Sequence, residues 1–257
     1  MKPSEPASFS RHPTDAPEPK GSVRPVAVIT GATAGIGQGI ARNLADTHHI
    51  VIGGRDAGRV ARMAGELPSA TGFVADLAAV GTQQFDEAIA ELTGRLPRVD
   101  VLVHSAGVLH RGTVAETPVP AWTESFMVNV VAVAALTRAL LPALRVSQGQ
   151  VLVVNSSSGL RADPTYGAYC ASKFGLTAFA DALREEERST GVRVTSLYPG
   201  RTDTAMQIAN VAFDGDGYDP DFYLTVESVV RAARAAIDAT PDASLESVVI
   251  RPARKRT

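Results

Sequence analysis

Between Val26 and Ile250 the chain repeats one alternation: a short apolar run rich in Val and Ile, then a longer segment of helical periodicity. The apolar runs fall at Val26–Thr30, Ile50–Gly53, Gly72–Val74, Val101–Ser105, Val151–Asn155, Val192–Tyr198 and Val248–Ile250. The intervening helical spacing covers Ile36–Asp46, Ala57–Leu67, Gln83–Leu96, Ala121–Val146, Tyr166–Thr190 and Thr225–Ala239. A strand apolar on both faces must be covered on both faces, and a parallel neighbour must be reached by a crossover long enough to be a helix. The alternation therefore predicts an α/β protein: a single-domain, doubly wound, Rossmann-like parallel sheet of about seven strands with helices on both faces. In such a sheet ligands bind beyond the carboxyl ends of the strands, and each motif described below falls at such an end.

The remaining boundaries follow from composition. Residues 1–22 hold five of the sixteen prolines among Ser, Glu, Asp and Lys, so a disordered N-terminal extension is expected there, and one domain over residues 23–257. A net charge of −2 with dispersed Lys and Arg argues against nucleic acid or an anionic membrane as partner. The basic group Arg251, Arg254, Lys255 and Arg256 reads as a solvated tail. One cysteine, Cys170, excludes an internal disulfide and fits a reducing compartment. The N-terminus carries no apolar signal-like run. The most apolar helical stretch, Met127–Leu141, is interrupted by Asn129, Thr137 and Arg138 and is expected to end at Pro142, too short and polar for a bilayer. A cytoplasmic protein is the expectation.

Two local patterns carry chemistry. After the first strand comes Thr30-Gly31-Ala32-Thr33-Ala34-Gly35-Ile36-Gly37, leading directly into a helix. Glycines there permit a tight turn and close approach to a pyrophosphate, while the helix start offers free N–H groups and the positive end of its dipole. The spacing is G-x-x-x-G-x-G, distinct from the commoner G-x-G-x-x-G. The second pattern is Tyr169-Cys170-Ala171-Ser172-Lys173, which sets a phenol and an ammonium one helical turn apart on one face. An adjacent cation is expected to lower the phenol's ordinary pKa of about 10 and let it exchange a proton with a substrate oxygen.

Together these motifs resemble the short-chain dehydrogenase/reductase family, over nearly the whole length from Val26 to Ile250. The family's T-G-x-x-x-G-I-G is met by Thr30 to Gly37, and its Y-x-x-x-K by Tyr169 and Lys173. Its fourth-strand N-N-A-G stands here as His104-Ser105-Ala106-Gly107, a departure at two positions, and Pro199-Gly200 matches the motif after its sixth strand. The resemblance implies a catalytic serine thirteen residues before the tyrosine, which is Ser156, with Ser157 the alternative in a run of three serines. It also implies Asn129, about forty residues before the tyrosine, as the fourth catalytic member, holding a water that links Lys173 to solvent. The implied cofactor contacts are Gly31, Thr33, Ala34, Gly35, Ile36 and Gly37, then Ser105, Ala106 and Gly107, then Pro199, Gly200, Thr202 and Thr204, with Tyr169 and Lys173. Asp76 with Leu77 matches the family's adenine contact, and a capping role for the following segment competes with it.

At the end of the second strand, where NAD-binding sites carry an acid, the chain reads Gly53-Gly54-Arg55. An arginine suits a 2′-phosphate, so NADP(H) is favoured, with NAD(H) the alternative and an ordinary surface arginine the bland account of Arg55. The expected activity is hydride transfer between NADP(H) and a small carbonyl or alcohol substrate, with Tyr169 as general acid/base and no metal. The competing functions are a catalytically silent dinucleotide sensor and an NAD-dependent dehydratase or epimerase on the same fold. The substrate is expected between Leu109 and His110, the segment from Leu160 to Tyr166, and a mobile lid over Met206–Phe222. The resemblance further implies a homo-oligomer, dimer or tetramer, built on the two longest helices.

Overall fold

The computed structural model describes residues 24–215 and 217–254, so the N-terminal extension expected over residues 1–22 lies outside the described residues, as do Lys255 and Arg256. Seven strands form one parallel sheet in the order β3-β2-β1-β4-β5-β6-β7. They are β1 Val26–Thr30, β2 His49–Gly54, β3 Ala70–Val74, β4 Val101–His104, β5 Gln150–Val154, β6 Arg193–Pro199 and β7 Ser247–Ile250. Strand β1 pairs with β2 on one side and β4 on the other, so the winding reverses between β1 and β4 and opens a crevice at their ends.

Alternate residues of each strand serve opposite layers. Ala27, Ile29, Ile50 and Ile52 pack with α1 (Gly35–Leu44), α2 (Ala57–Gly65) and α8 (Val226–Ile237). Val28, Val51, Leu102, Val151 and Val153 pack with α3 (Gln83–Gly94), α5 (Ala132–Ser147) and α6 (Gly167–Glu187). That division explains why the central strands read as unbroken apolar runs. Side-chain caps start several helices: Asp56 accepts from the Arg59 N–H at α2, Thr82 from Phe85 at α3, and Thr225 from Ser228 at α8.

Helix α4 (Val119–Phe126) continues through a π-helical turn, Met127–Val131, into α5. Pro142 lies inside α5, in keeping with the helical spacing over Ala121–Val146, so the apolar stretch expected to close at this proline runs on past it. The helix persists because Leu136, Leu140 and Leu144 on either side of the proline are fully buried against the sheet, and such packing outweighs one lost hydrogen bond. The unbroken helical stretch Val119–Ser147 spans 29 residues with a mean hydropathy of 1.8 in its most apolar window, long and apolar enough to cross a membrane. Half of that window is buried within the protein.

Candidate active site

The strand ends frame one large cavity of about 1340 Å³ that runs from the β2–β3 end of the sheet to the β6–β7 end. At its head, Gly31 has φ 65°, in the left-handed region. A Cβ at this position would stand 2.8 Å from the backbone of Ala106, so the turn after β1 and the exit of β4 touch through bare backbone. The Thr30 hydroxyl ties the same two segments, accepting from the N–H groups of Ser105 (3.1 Å) and Ala106 (3.3 Å). Helix α1 then starts at an extended Ala34 with no side-chain cap and no acid in its first turn, leaving its N–H groups directed at the cavity unneutralised. Thr33, Ala34, Gly35 and Ile36 line this end. Gly37 lies beneath it, packed against Gly31 and Ser105.

Arg55 lines the cavity at the end of β2. The neighbouring acid, Asp56, is committed to capping α2. Arg59, which the sequence patterns did not single out, is held against the glycine turn through its bond to the Thr33 carbonyl (3.0 Å). Asp76 caps the short 3₁₀ turn Leu77–Ala79 by accepting from Ala78 N–H (3.0 Å), and both Asp76 and Leu77 also line the cavity. At the departure from the family pattern, His104 is buried and bonds Thr137 at 2.8 Å. Burial drives its pKa down to about 3, so it is a neutral link from β4 to α5.

Helix α6 brings Tyr169 and Lys173 to the centre of the cavity, both buried, with the ammonium 5.7 Å from the centre of the phenol ring. Ser156, at the exit of β5, caps the turn Ser157–Gly159 and hydrogen-bonds the Tyr169 side chain. Of the three consecutive serines, it is therefore Ser156 that meets the phenol. Lys173 Nζ donates to the Val154 carbonyl at 3.3 Å. Its pKa is pulled down to about 8 by burial. The expected acidification of Tyr169 is not found: loss of solvent pushes its pKa up to about 12, and the bond from Ser156 opposes this only in part. Desolvation of the phenolate outweighs a neighbouring ammonium that is itself desolvated.

Asn129 sits in the π-helical turn, a distortion that often marks a functional position in a helix. It is buried, its Oδ1 accepting from Val108 N–H (2.9 Å) and its Nδ2 donating to the Val108 carbonyl (3.0 Å) and Ser172 Oγ (2.9 Å). Asn129 thus braces the segment after β4. Gly107 lies between its side chain and Lys173.

On the far side, Gly200 N–H donates to the Ile250 carbonyl (2.8 Å), and Thr202 bonds back to the Gly200 carbonyl (3.0 Å). Thr204 caps α7 (Ala205–Asp214), and its methyl group lies 3.4 Å from where a Gly35 Cβ would stand. Most of the expected mobile lid is therefore this helix, which the sequence patterns missed. Its buried residues, Gln207, Asn210 and Val211, are mostly polar, while Met206, Ile208 and Phe213 are exposed, so no inward apolar stripe announces it. Asp214 and Asp219 from the acidic run have structural partners, and Asp216 lies outside the described residues.

Arg111 pins α7 in place. Its guanidinium is sandwiched between the Tyr166 and Phe213 rings at 4.0 and 4.4 Å. It also donates to Asp214 (2.6 Å), Asn210 Oδ1 (2.6 Å), Thr165 Oγ1 (2.8 Å) and Tyr166 Oη (3.0 Å). The ion pair holds the Asp214 carboxyl below its ordinary pKa. Thr165 carries φ 63°, unfavourable for a β-branched residue, and is fixed there by Arg111 and by Gly112 N–H, which bonds its carbonyl. None of these partners is close to Arg111 in sequence, so spacing alone gave no sign of the cluster.

Residues 25–214 match the model of the short chain dehydrogenase family, and the chain belongs to that family. It is 36% identical over 203 residues to Dehydrogenase/reductase SDR family member 7B of Danio rerio, covering 75% of this chain and 66% of that protein's length. It is 30% identical to an uncharacterized oxidoreductase of Staphylococcus saprophyticus, over 88% of this chain and 97% of the relative. Among solved structures, an alcohol dehydrogenase of Thermococcus sibiricus complexed with 5-hydroxy-NADP superposes with a TM-score of 0.81 at 27% identity, covering 91% of this chain and 99% of the other.

Proposed function

We propose that the protein is an NADP(H)-dependent oxidoreductase that interconverts a carbonyl compound and its alcohol, with Tyr169 as general acid/base. The observation that carries this reading is the convergence of Ser156, Tyr169 and Lys173 at the centre of a cavity that a glycine turn and an uncapped helix start close at one end. The residues present suit a dinucleotide: Gly31 and Gly35 offer bare backbone, α1 offers N–H groups for a pyrophosphate, and Arg55 offers a guanidinium without a side-chain partner among the described residues for a 2′-phosphate. When bound, NADPH supplies the hydride that reduces the carbonyl carbon.

The chain's own side chains do the rest. Ser156 and Tyr169 donate hydrogen bonds to the substrate oxygen, and Tyr169 gives its proton as that oxygen becomes an alkoxide. Burial keeps the phenol protonated at neutral pH, the form a reduction needs. Lys173 would hold the ribose hydroxyls of a bound dinucleotide and supplies positive charge beside the phenol. Asn129 braces the segment after β4 beside Lys173. Exposed Phe126, Val131 and Phe174 on the outer faces of the helices from α4 to α6 support pairing of two copies there.

A screen of NADPH oxidation over ketones, aldehydes, quinones and β-keto thioesters tests the activity. Tyr169→Phe should lower kcat at least ~100-fold on any substrate found, the scale of general acid catalysis, and near-normal turnover would exclude the role. Lys173 is charged below about pH 8 and neutral above it, so kcat/KM for reduction should fall as pH rises through about 8. NADPH binding without turnover of any carbonyl would favour a silent dinucleotide sensor.

A further inference from the structure

The far end of the cavity holds arginines whose guanidiniums have no hydrogen-bond partner among the described residues. They are Arg201, Arg251 and Arg254, and none makes a close ion pair among the described residues, although Arg201 is near enough to Asp214 to help lower that carboxyl's pKa. The acids lining the same end are already engaged: Glu124 bonds His110, Asp163 pairs with Arg161, and Asp214 pairs with Arg111. Around the whole cavity, seven Arg and Lys side chains face four acids, in a chain whose net charge is −2. The excess positive charge is thus local to this cavity.

Two further observations point to a ligand. Gln207 is 8% exposed and lines the cavity, and its buried Nε2 has no hydrogen-bond partner, so a small shift of this side chain toward the cavity would give it an acceptor there. The cations are also fixed by the sheet itself. Pro199 and Ile250 are register partners on β6 and β7, so Arg201 and Arg251 leave adjacent strand ends. A Cβ on Gly200 would lie 3.4 Å from Arg251 Cδ, which places the Arg251 stem alongside the segment that leads to Thr202.

These cations are remote from the place where the cofactor's 2′-phosphate would bind. Arg55 leaves β2, which is five strand spacings from β7, roughly 24 Å at ~4.8 Å per spacing. One phosphate cannot reach both ends. We propose that Arg201 and Arg251, with Gln207, form a receptor for an anionic group on the substrate, a carboxylate or a phosphate carried by a small carbonyl compound. This inference rests on the carbonyl reductase reading and names its substrate class. Planar guanidiniums leaving neighbouring strand ends suit the paired oxygens of either anion.

The test compares matched substrates: acetoacetate with methyl acetoacetate, levulinate with methyl levulinate, and dihydroxyacetone phosphate with dihydroxyacetone. The wild-type chain with NADPH should favour the anionic member of at least one pair by ~10-fold or more in kcat/KM, and which pair it is distinguishes carboxylate from phosphate. Arg201→Gln and Arg251→Gln should each reduce that anion-to-neutral ratio several-fold through KM, and the double variant should abolish it. Equal use of acid and ester by the wild type overturns the inference and leaves the reductase reading standing. A loss of NADPH affinity in the variants with the ratio unchanged also overturns it, by assigning the cations to the cofactor. If no carbonyl is turned over, the reductase reading fails. The inference is then judged by calorimetric titration of the NADPH-loaded chain with acetoacetate and with inorganic phosphate. Binding that disappears in the double variant upholds an anion receptor, and absence of binding to the wild type refutes it.

Discussion

The two ends of the cavity are built on opposite principles. At the β1–β2 end the architecture consists of small residues and backbone: Gly31 against Ala106, a helix start without a cap, and the Thr30 hydroxyl spanning two strand exits. At the β6–β7 end it consists of long side chains from distant segments, with Arg111 at the centre of Tyr166, Thr165, Asn210, Phe213 and Asp214. A backbone cradle cannot change its ligand without losing its turn, which suits a cofactor common to many relatives. A side-chain cradle can be respecified one residue at a time, which suits a substrate. The comparison predicts different penalties for substitution at the two ends.

The largest effect should follow from filling the backbone cradle. Gly31→Ala places a methyl group 2.8 Å from the Ala106 backbone at φ 65°. The left-handed conformation costs ~1–2 kcal/mol for a non-glycine residue, and forcing extra volume into a packed site typically costs 1–3 kcal/mol more. A loss of about 2–5 kcal/mol in urea unfolding, together with loss of NADPH binding, is the expected outcome. A variant of normal stability that still binds NADPH would show that the two strand exits can separate, and the contrast between the ends would lose its basis.

That division also explains what could be read from the sequence. The five inner strands of the doubly wound sheet were legible because burial on both faces imposes a local signal on each, strand β1 to the residue, while the partly exposed edge strands β3 and β7 showed only as short runs in the same alternation. The glycine turn and the Tyr169–Lys173 pair were legible because their geometry is set by neighbours a few positions away. The direction of the Tyr169 shift was misread because desolvation depends on the whole surrounding fold and not on the nearest cation. Helix α7 was missed because its buried side is polar, so periodicity in apolar residues could not mark it. Arg111 and Asp214 are 103 residues apart, and only the tertiary fold makes them partners.

An intermediate effect is expected at the side-chain end. Arg111→Met keeps much of the packing between Tyr166 and Phe213 but removes the bonds to Asp214, Asn210 and Thr165. Hydrogen bonds to charged groups contribute ~1.5–3 kcal/mol, so α7 should open more readily by about that amount. Hydrogen exchange should accelerate in Ala205–Asp214 and around Thr165, while Gly35–Leu44 in α1 stays protected. Uniform acceleration across both helices would mean that Arg111 supports the global fold and not one end of it.

The smallest effect, and the sharpest test of how independent the ends are, belongs to Arg55. Its guanidinium lines the cavity at the end of β2. Its neighbour Arg59 is already engaged with the Thr33 carbonyl. Of the two, only Arg55 is free to meet a 2′-phosphate, so Arg55→Asp should lower the NADPH-to-NADH affinity ratio ~10-fold or more, about 1.4 kcal/mol. Arg59→Gln should shift the same ratio less, since it removes a brace of the glycine turn that serves either cofactor equally. Neither change should alter the order in which different carbonyl compounds are preferred, because the proposed substrate end lies several strands away. An Arg55→Asp variant with an unaltered ratio would remove the assignment of the 2′-phosphate to this residue, and an equal response from Arg59→Gln would transfer it to the pair.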